Sequence, residues 1–271
     1  MSDEGRWHLK APFGSRTSKQ SGRVGMDYTG LEIVTLAPGA AHTAVTGLDE
    51  LVVLPLAGSC TVESDAGEAE LAGRAHVFAG VTDSAYLPVE TGFRLTSAAG
   101  GQFADAEGQF ALCRARADRE LRFRYVAADQ VRVEQRGAGS CARQVNNFAT
   151  PDVLDAGRLI ACEVITPAGN WSSYPPHKHD SEQAGESVLE EIYYFQVADG
   201  PVGPGMGYLK AAEVLAEVRS GDVVLVPYGY HGPAMAVPGY DLYYLNVMAG
   251  PGRREWLICE DPAHSWIREN W

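Results

Sequence analysis

The chain has 271 residues, 45% hydrophobic and 21% charged, which is enough for one large or two ordinary domains with a buried core and no need of staples. Its 35 Asp and Glu against 22 Lys and Arg give a formal net charge of −13, which argues against nucleic acid or an anionic membrane as partner but not against a small anionic substrate. The five cysteines are scattered and the N-terminus has no apolar signal-type run, so reduced thiols and a cytoplasmic location are expected.

Thirty Gly and 15 Pro separate short segments rich in β-branched and aromatic residues. In chain order the expected strands are 31–36, 50–56, 76–81, 93–97, 121–126, 159–165, 190–197, 222–227 and 240–248. Short strands with turn signals between them predict an all-β sandwich or barrel. The stretch Lys210–Val218 has helical propensity, but it runs into a Ser-Gly-Asp turn and is read as strand. The order of strands, Pro-Gly turns and a closing Pro (Pro88, then Pro227) occurs twice. This predicts two small barrels, residues 1–135 and 136–271, with the junction around Gln135–Ser140. The tail Gly250–Trp271 carries Trp256, Trp266 and Trp271. It is expected to pack back across a barrel or onto a partner subunit, which leaves a homo-oligomer open.

The most informative segment is Tyr174-Pro-Pro-His177-Lys-His179-Asp180. Imidazoles at i and i+2 on a strand share a face and can converge on one ion. Downstream, Leu189-Glu190-Glu191-Ile-Tyr193 opens a strand with a carboxylate, and Pro227-Tyr-Gly229-Tyr-His231 closes another with a third imidazole. Three His and one carboxylate suit a divalent transition metal with positions left for a substrate. Alternation puts Lys178 on the other face, and it allows only one of Glu190 and Glu191 to be a ligand. Glu182 and Glu186 read as solvated loop residues. Tyr193 shares the face of Glu191, as a proton-transferring group or as core.

These segments resemble the cupin superfamily, in which His-x-His…Glu is followed by a His after a Gly…Pro-x-Gly segment. More closely, GNWSSYPPHKHD (169–180), LEEIYY (189–194), GDVVLVPYGYH (221–231) and PGYDLYYLNVMAGP (238–251) resemble the 5-deoxy-glucuronate isomerase family of bacterial myo-inositol catabolism, a relative of the uronate ketol-isomerases. Pro227-x-Gly229-x-His231 is one residue shorter than the general cupin pattern. The resemblance implies a bicupin of two jelly-roll-like barrels. It implies an aldose–ketose isomerase that converts 5-deoxy-D-glucuronate to 5-dehydro-2-deoxy-D-gluconate by metal-assisted proton transfer through an enediolate. It further implies one divalent ion, Zn or Mn with Fe or Ni as alternatives, on His177, His179, Glu191 and His231. The base stays open among a metal-bound hydroxide, an inward carboxylate and a tyrosinate, with Tyr193 as the catalytic candidate. Arg143, in a family-like segment, is the candidate for the substrate carboxylate, because guanidinium pairs with carboxylate in a planar fork. Tyr174 is a candidate for substrate contact. Tyr174 and Asp180 are also candidates for orienting the imidazoles.

The first repeat keeps only His42 and Glu50 in comparable places, with no second His and no His after Pro88. It is therefore expected to be a metal-free scaffold. Two other functions fit the ligand set, a cupin dioxygenase and a non-catalytic sugar-acid-binding bicupin.

Overall fold

Strands form where β-branched and aromatic residues cluster, and the computed structural model is nearly all β. It describes residues 7–11, 26–103 and 106–270. The chain divides into two compact units, each a jelly-roll-like β unit, so the expected bicupin class holds. Among the described residues, one unit takes 26–132 and 147–161, and the other takes 7–11, 133–146 and 162–270.

The first described strand, β1 (His8–Leu9), belongs to the second of these units. The N-terminal unit follows with β2 (Thr29–Leu36), β3 (Ala41–Val45), β4 (Asp49–Ser64), β5 (Gly67–Arg74), β6 (Ser84–Leu87), β7 (Gly92–Ser97), β8 (Gly108–Arg116) and β9 (Arg124–Val126). The long strand β4 serves two sheets. Its first half pairs with β8 and β6, and its second half pairs with β5 and β7. Register shifts at Pro55/Ala57 and Gly58/Cys60 bend it from one sheet into the other. Leu51, Val53, Leu95, Phe110 and Leu112 are fully buried between the two sheets. Full burial of such side chains stabilises by roughly 1.5–3 kcal/mol each.

Two strand expectations fail here. Residues 76–81 form a 3-10 turn at Val77–Ala79, because Arg74 donates to the carbonyls of Pro55 and Gly80 and Gly80 takes φ 134°. Of residues 121–126, only Arg124–Val126 pair, with β6.

Next along the chain come β10 (Arg132–Arg136), β11 (Arg143–Ala149) and β12 (Ile160–Thr166), and then, in the C-terminal unit, β13 (Trp171–Ser172), β14 (His177–Lys178), β15 (Asp180–Gln183), β16 (Glu186–Val188) and β17 (Glu190–Val197). It continues with β18 (Gly207–Ala211), β19 (Val214–Val218), β20 (Val223–Val226), β21 (His231–Ala236), β22 (Leu242–Ala249) and β23 (Cys259–Glu260). One sheet runs β1-β20-β17-β22-β12-β11-β10. The other runs β19-β18-β21-β14-β23, with β13 also on β21. Tyr193, Phe195, Val224, Val226 and Tyr244 are buried in this unit's core. Lys210–Val218 is a hairpin of β18 and β19, turning at Ala212 with φ 48°.

The cut at 135/136 is replaced by an exchange of segments. His8 pairs with Val224 and Leu9 with Val223, which ties this short strand to the C-terminal unit. Residues 147–161 join the N-terminal unit because Glu50 accepts hydrogen bonds from the N–H groups of Gly157, Arg158 and Leu159. The tail packs within its own unit. β23 pairs with β14, Trp256 rests on the core and Trp266 is exposed, while Trp271 lies outside the described residues.

Candidate functional site

Backbone pairing alone brings two of the sequence's candidates together. His177 sits opposite His231 where β14 meets β21, and His179 follows at i+2. Glu191 enters from the other sheet, on β17, where it faces Val226 and Met248 in its neighbours. The ligand atoms of the three histidines lie within 4.8 Å of one another, and all three side chains are buried. Glu191 Oε2 is 3.1 Å from His179 Nε2 and 3.0 Å from His231 Nε2.

The imidazoles are oriented by main chain. Nδ1 of His179 faces the Leu189 carbonyl at 2.9 Å, that of His231 the Gly229 carbonyl at 3.1 Å and that of His177 the Pro175 carbonyl at 3.4 Å. A carbonyl only accepts, so each Nδ1 carries a proton and each Nε2 is the nitrogen turned towards the cluster. Burial, together with the charges of His231 and His179, holds His177 well below the usual imidazole range. Burial acts the same way on His179, but the hydrogen bond and charge of Glu191 outweigh it and raise that group. Burial would raise Glu191, yet the hydrogen bond with His179 and the charge of the neighbouring imidazoles hold it far below the usual carboxylate range.

His231 Nε2 tests whether these residues suit a metal. It is buried and forms no hydrogen bond, although a carboxylate oxygen lies 3.0 Å away. A buried lone pair beside a carboxylate is costly unless a cation stands between them. The donor set of three imidazoles and one carboxylate therefore fits a divalent ion.

Beside this cluster a cavity of about 490 Å3 opens, lined by His177 and Glu191 and also by Arg143, Tyr174 and Tyr193. All three further candidates thus reach one space. Arg143 is buried and donates to the Cys141 carbonyl at 3.0 Å. Burial lowers its pKa, and the nearby charges of Arg136 and Arg268 add to this. Tyr193 Oη lies 3.1 Å from Ser173 Oγ. Burial and the charge of Glu191 push its phenol well above its usual range, so it holds its proton. The Tyr174 ring neighbours Trp171 and His264 rather than the three clustered imidazoles.

The surroundings differ from expectation in two places. Asp180 touches no imidazole. It accepts from Lys178 Nζ at 2.6 Å and from the Gly229 N–H at 2.8 Å, so it anchors the loop that carries His231. Glu186 is buried rather than solvated, because it accepts from Lys178, from Gln183 and from the N–H groups of Asp180 and Ser181. Two residues outside the candidate set, Asn246 and the tail's Trp256, also line the cavity. A polar Asn inside the buried run Leu-Tyr-Tyr-Leu-Asn-Val-Met-Ala was the available signal.

In the N-terminal unit, Glu50 spends both oxygens on other work. Oε1 accepts from the Arg158 and Leu159 N–H groups, and Oε2 accepts from Gly157 N–H and the Tyr86 hydroxyl. His42 Nε2 lies 4.0 Å from Glu32 Oε1.

Comparison with known proteins supplies the context. A profile described as the KduI/IolB family matches residues 12–267. A 5-deoxy-glucuronate isomerase of Geobacillus kaustophilus is 38% identical over 258 residues, covering 91% of this chain and 88% of that protein. Its namesake in Listeria innocua is also 38% identical over 258 residues, with 90% and 89% covered. The crystal structure of an IolB-like protein from Salmonella typhimurium LT2 superposes with a TM-score of 0.84 at 31% identity, covering 96% of this chain and 98% of that one.

Proposed function

The chain belongs to the KduI/IolB family, and from that membership we infer that it is an aldose–ketose isomerase converting 5-deoxy-D-glucuronate to 5-dehydro-2-deoxy-D-gluconate in inositol catabolism. The likeness to the two isomerases along nearly the whole chain carries this reading. We place the enzyme in the cytoplasm, where such a sugar acid is metabolised. No helix among the described residues is long and apolar enough to cross a membrane.

In this reading His177, His179, His231 and Glu191 hold one divalent ion, Zn or Mn ahead of Fe or Ni. When bound, the ion supplies Lewis acidity to the substrate's carbonyl and neighbouring hydroxyl oxygens, which acidifies the C–H that must lose its proton. Arg143 pairs with the substrate carboxylate. Its burial keeps water from competing for that pair, and the carboxylate in turn relieves the crowding of positive charge with Arg136 and Arg268. Tyr193 keeps its proton and donates a hydrogen bond from Oη to the substrate oxygen on which charge develops, while the proton taken from one carbon is returned to its neighbour, so that none is gained or lost. Tyr174 forms the wall against which the sugar acid rests.

The test is NMR of 5-deoxy-glucuronate incubated with metal-loaded protein in heavy water. Formation of the ketose with deuterium on the carbon that exchanges its proton is expected. Oxygen consumption without ketose formation would assign the chain to the dioxygenases. Binding without turnover would leave a sugar-acid-binding protein.

A further inference from the structure

Asn246 is out of character with its strand. All eight residues of β22 are buried, and the others are apolar or aromatic. A carboxamide in such a place has lost its water and needs a protein partner. Asn246 is 3% exposed, lines the cavity, and its Oδ1 accepts no hydrogen bond. It lies directly opposite Tyr193 on β17, so it shares the sheet face that carries Glu191 and Tyr193.

Trp256 presents the complementary defect. Its ring packs on the core under the Arg136 guanidinium, 5.2 Å from ring centroid to Cζ. Its Nε1 is buried without a partner, and the residue lines the same cavity. An indole N–H only donates and a carboxamide oxygen only accepts. One cavity thus holds an unmatched acceptor and an unmatched donor. An apolar ligand would leave both unmatched, and a carboxylate would serve only the donor. A hydroxyl group both donates and accepts, so a polyhydroxylated ligand satisfies both.

We propose that Asn246 and Trp256 recognise hydroxyl groups of the sugar acid. Asn246 accepts from one and Trp256 donates to one, and together they set which hydroxylated acids the enzyme takes. This rests on the isomerase reading above. A site built to bind a hydroxyl discriminates strongly against an analogue that lacks it, because its own polar groups are then left unpaired.

Two variants of the metal-loaded full chain test it, Asn246→Leu and Trp256→Phe. Each is assayed for turnover, calorimetric binding of 5-deoxy-glucuronate, metal content and Tm. Neither change removes a protein hydrogen bond, so metal content and Tm should stay at or above those of the wild type. The value of kcat/KM should fall about 10- to 100-fold in each, mainly through KM, and preference over an analogue lacking one hydroxyl should shrink by a similar factor. A lowered Tm with unchanged kcat/KM would make Asn246 a structural residue and overturn the proposal. A kcat/KM within twofold of wild type in Trp256→Phe would overturn the donor's role. Should Asn246→Leu fail to fold, Asn246→Ala takes its place with the same expectations for binding. A wild type that binds the acid without converting it fails the isomerase reading and leaves this one standing, whereas one that does neither overturns both.

Discussion

His177 and His231 lie directly opposite each other where β14 pairs with β21, their ring centroids 4.5 Å apart. Strand pairing therefore sets the spacing of two proposed ligands before any ion arrives, and main-chain carbonyls set their tautomers. His231→Ala should abolish metal retention and turnover. The C-terminal unit has a large apolar core and should keep its fold, unlike a small zinc module. Metal analysis and circular dichroism of the purified variant check both halves. Full activity after chelation would refute the metal reading.

Glu190 and Glu191 separate the same way. Glu191 is buried against two imidazoles, whereas Glu190 is only half-buried on the opposite face of β17. Glu191→Gln should lose most of the bound metal, and Glu190→Gln should keep it near the wild-type amount. Equal loss in the two would refute the assignment of Glu191.

Glu50 holds four donors with one carboxylate, three of them backbone N–H groups that secondary structure does not satisfy. Glu50→Ala would leave those groups, one buried and two part-buried, unpaired. It should cost about 3–5 kcal/mol in urea denaturation, placing the N-terminal unit near its limit. His42→Ala, in contrast, should leave turnover near normal. Loss of activity there would mean that the first repeat takes part in catalysis.

Asp222 ties down the segment 8–11. It accepts from the Ala11 and Arg219 N–H groups, lies 3.2 Å from His8 Nε2 and 3.5 Å from Lys10 Nζ. Burial would raise its pKa, but the His8 bond, the two N–H groups and Lys10 outweigh that and hold it below the usual 3.8. Its folded pKa lies below the unfolded one, so the unfolded chain binds more protons in the acid range. The stability it contributes is present above about pH 4 and fades as pH falls through the folded pKa. Asp222→Asn should cost about 1–2 kcal/mol at pH 7 and flatten the acid limb of the stability curve. Urea titrations at neutral and acid pH measure both.

Much of the site was legible because local pattern sets it. The i, i+2 spacing of His177 and His179 and the alternation that points Glu191 and Tyr193 the same way need nothing beyond a strand. The roles of Glu50, Asp180 and Glu186 were not legible, because each accepts from at least one backbone N–H group, which every residue except proline carries. A carboxylate that caps distant main chain therefore looks in sequence like any loop or strand carboxylate. The turn at Val77–Ala79 was missed for the same reason. Its shape follows from Arg74 reaching two carbonyls, and not from the apolar residues within it.

The pairing of β1 with β20 bears on how the chain can be made. The first described strand emerges from the ribosome long before Val223 and Val224 exist, so throughout most of synthesis it has no neighbour. Glu50 waits likewise for Gly157, Arg158 and Leu159. Neither unit can be completed from the front of the chain alone, and the last contacts to form are those of long sequence separation, which fold slowly. Until residues 157–159 have been made, the Glu50 carboxylate therefore lacks three of the four donors it holds in the folded chain. That is the stage at which a nascent-chain chaperone would have most to protect.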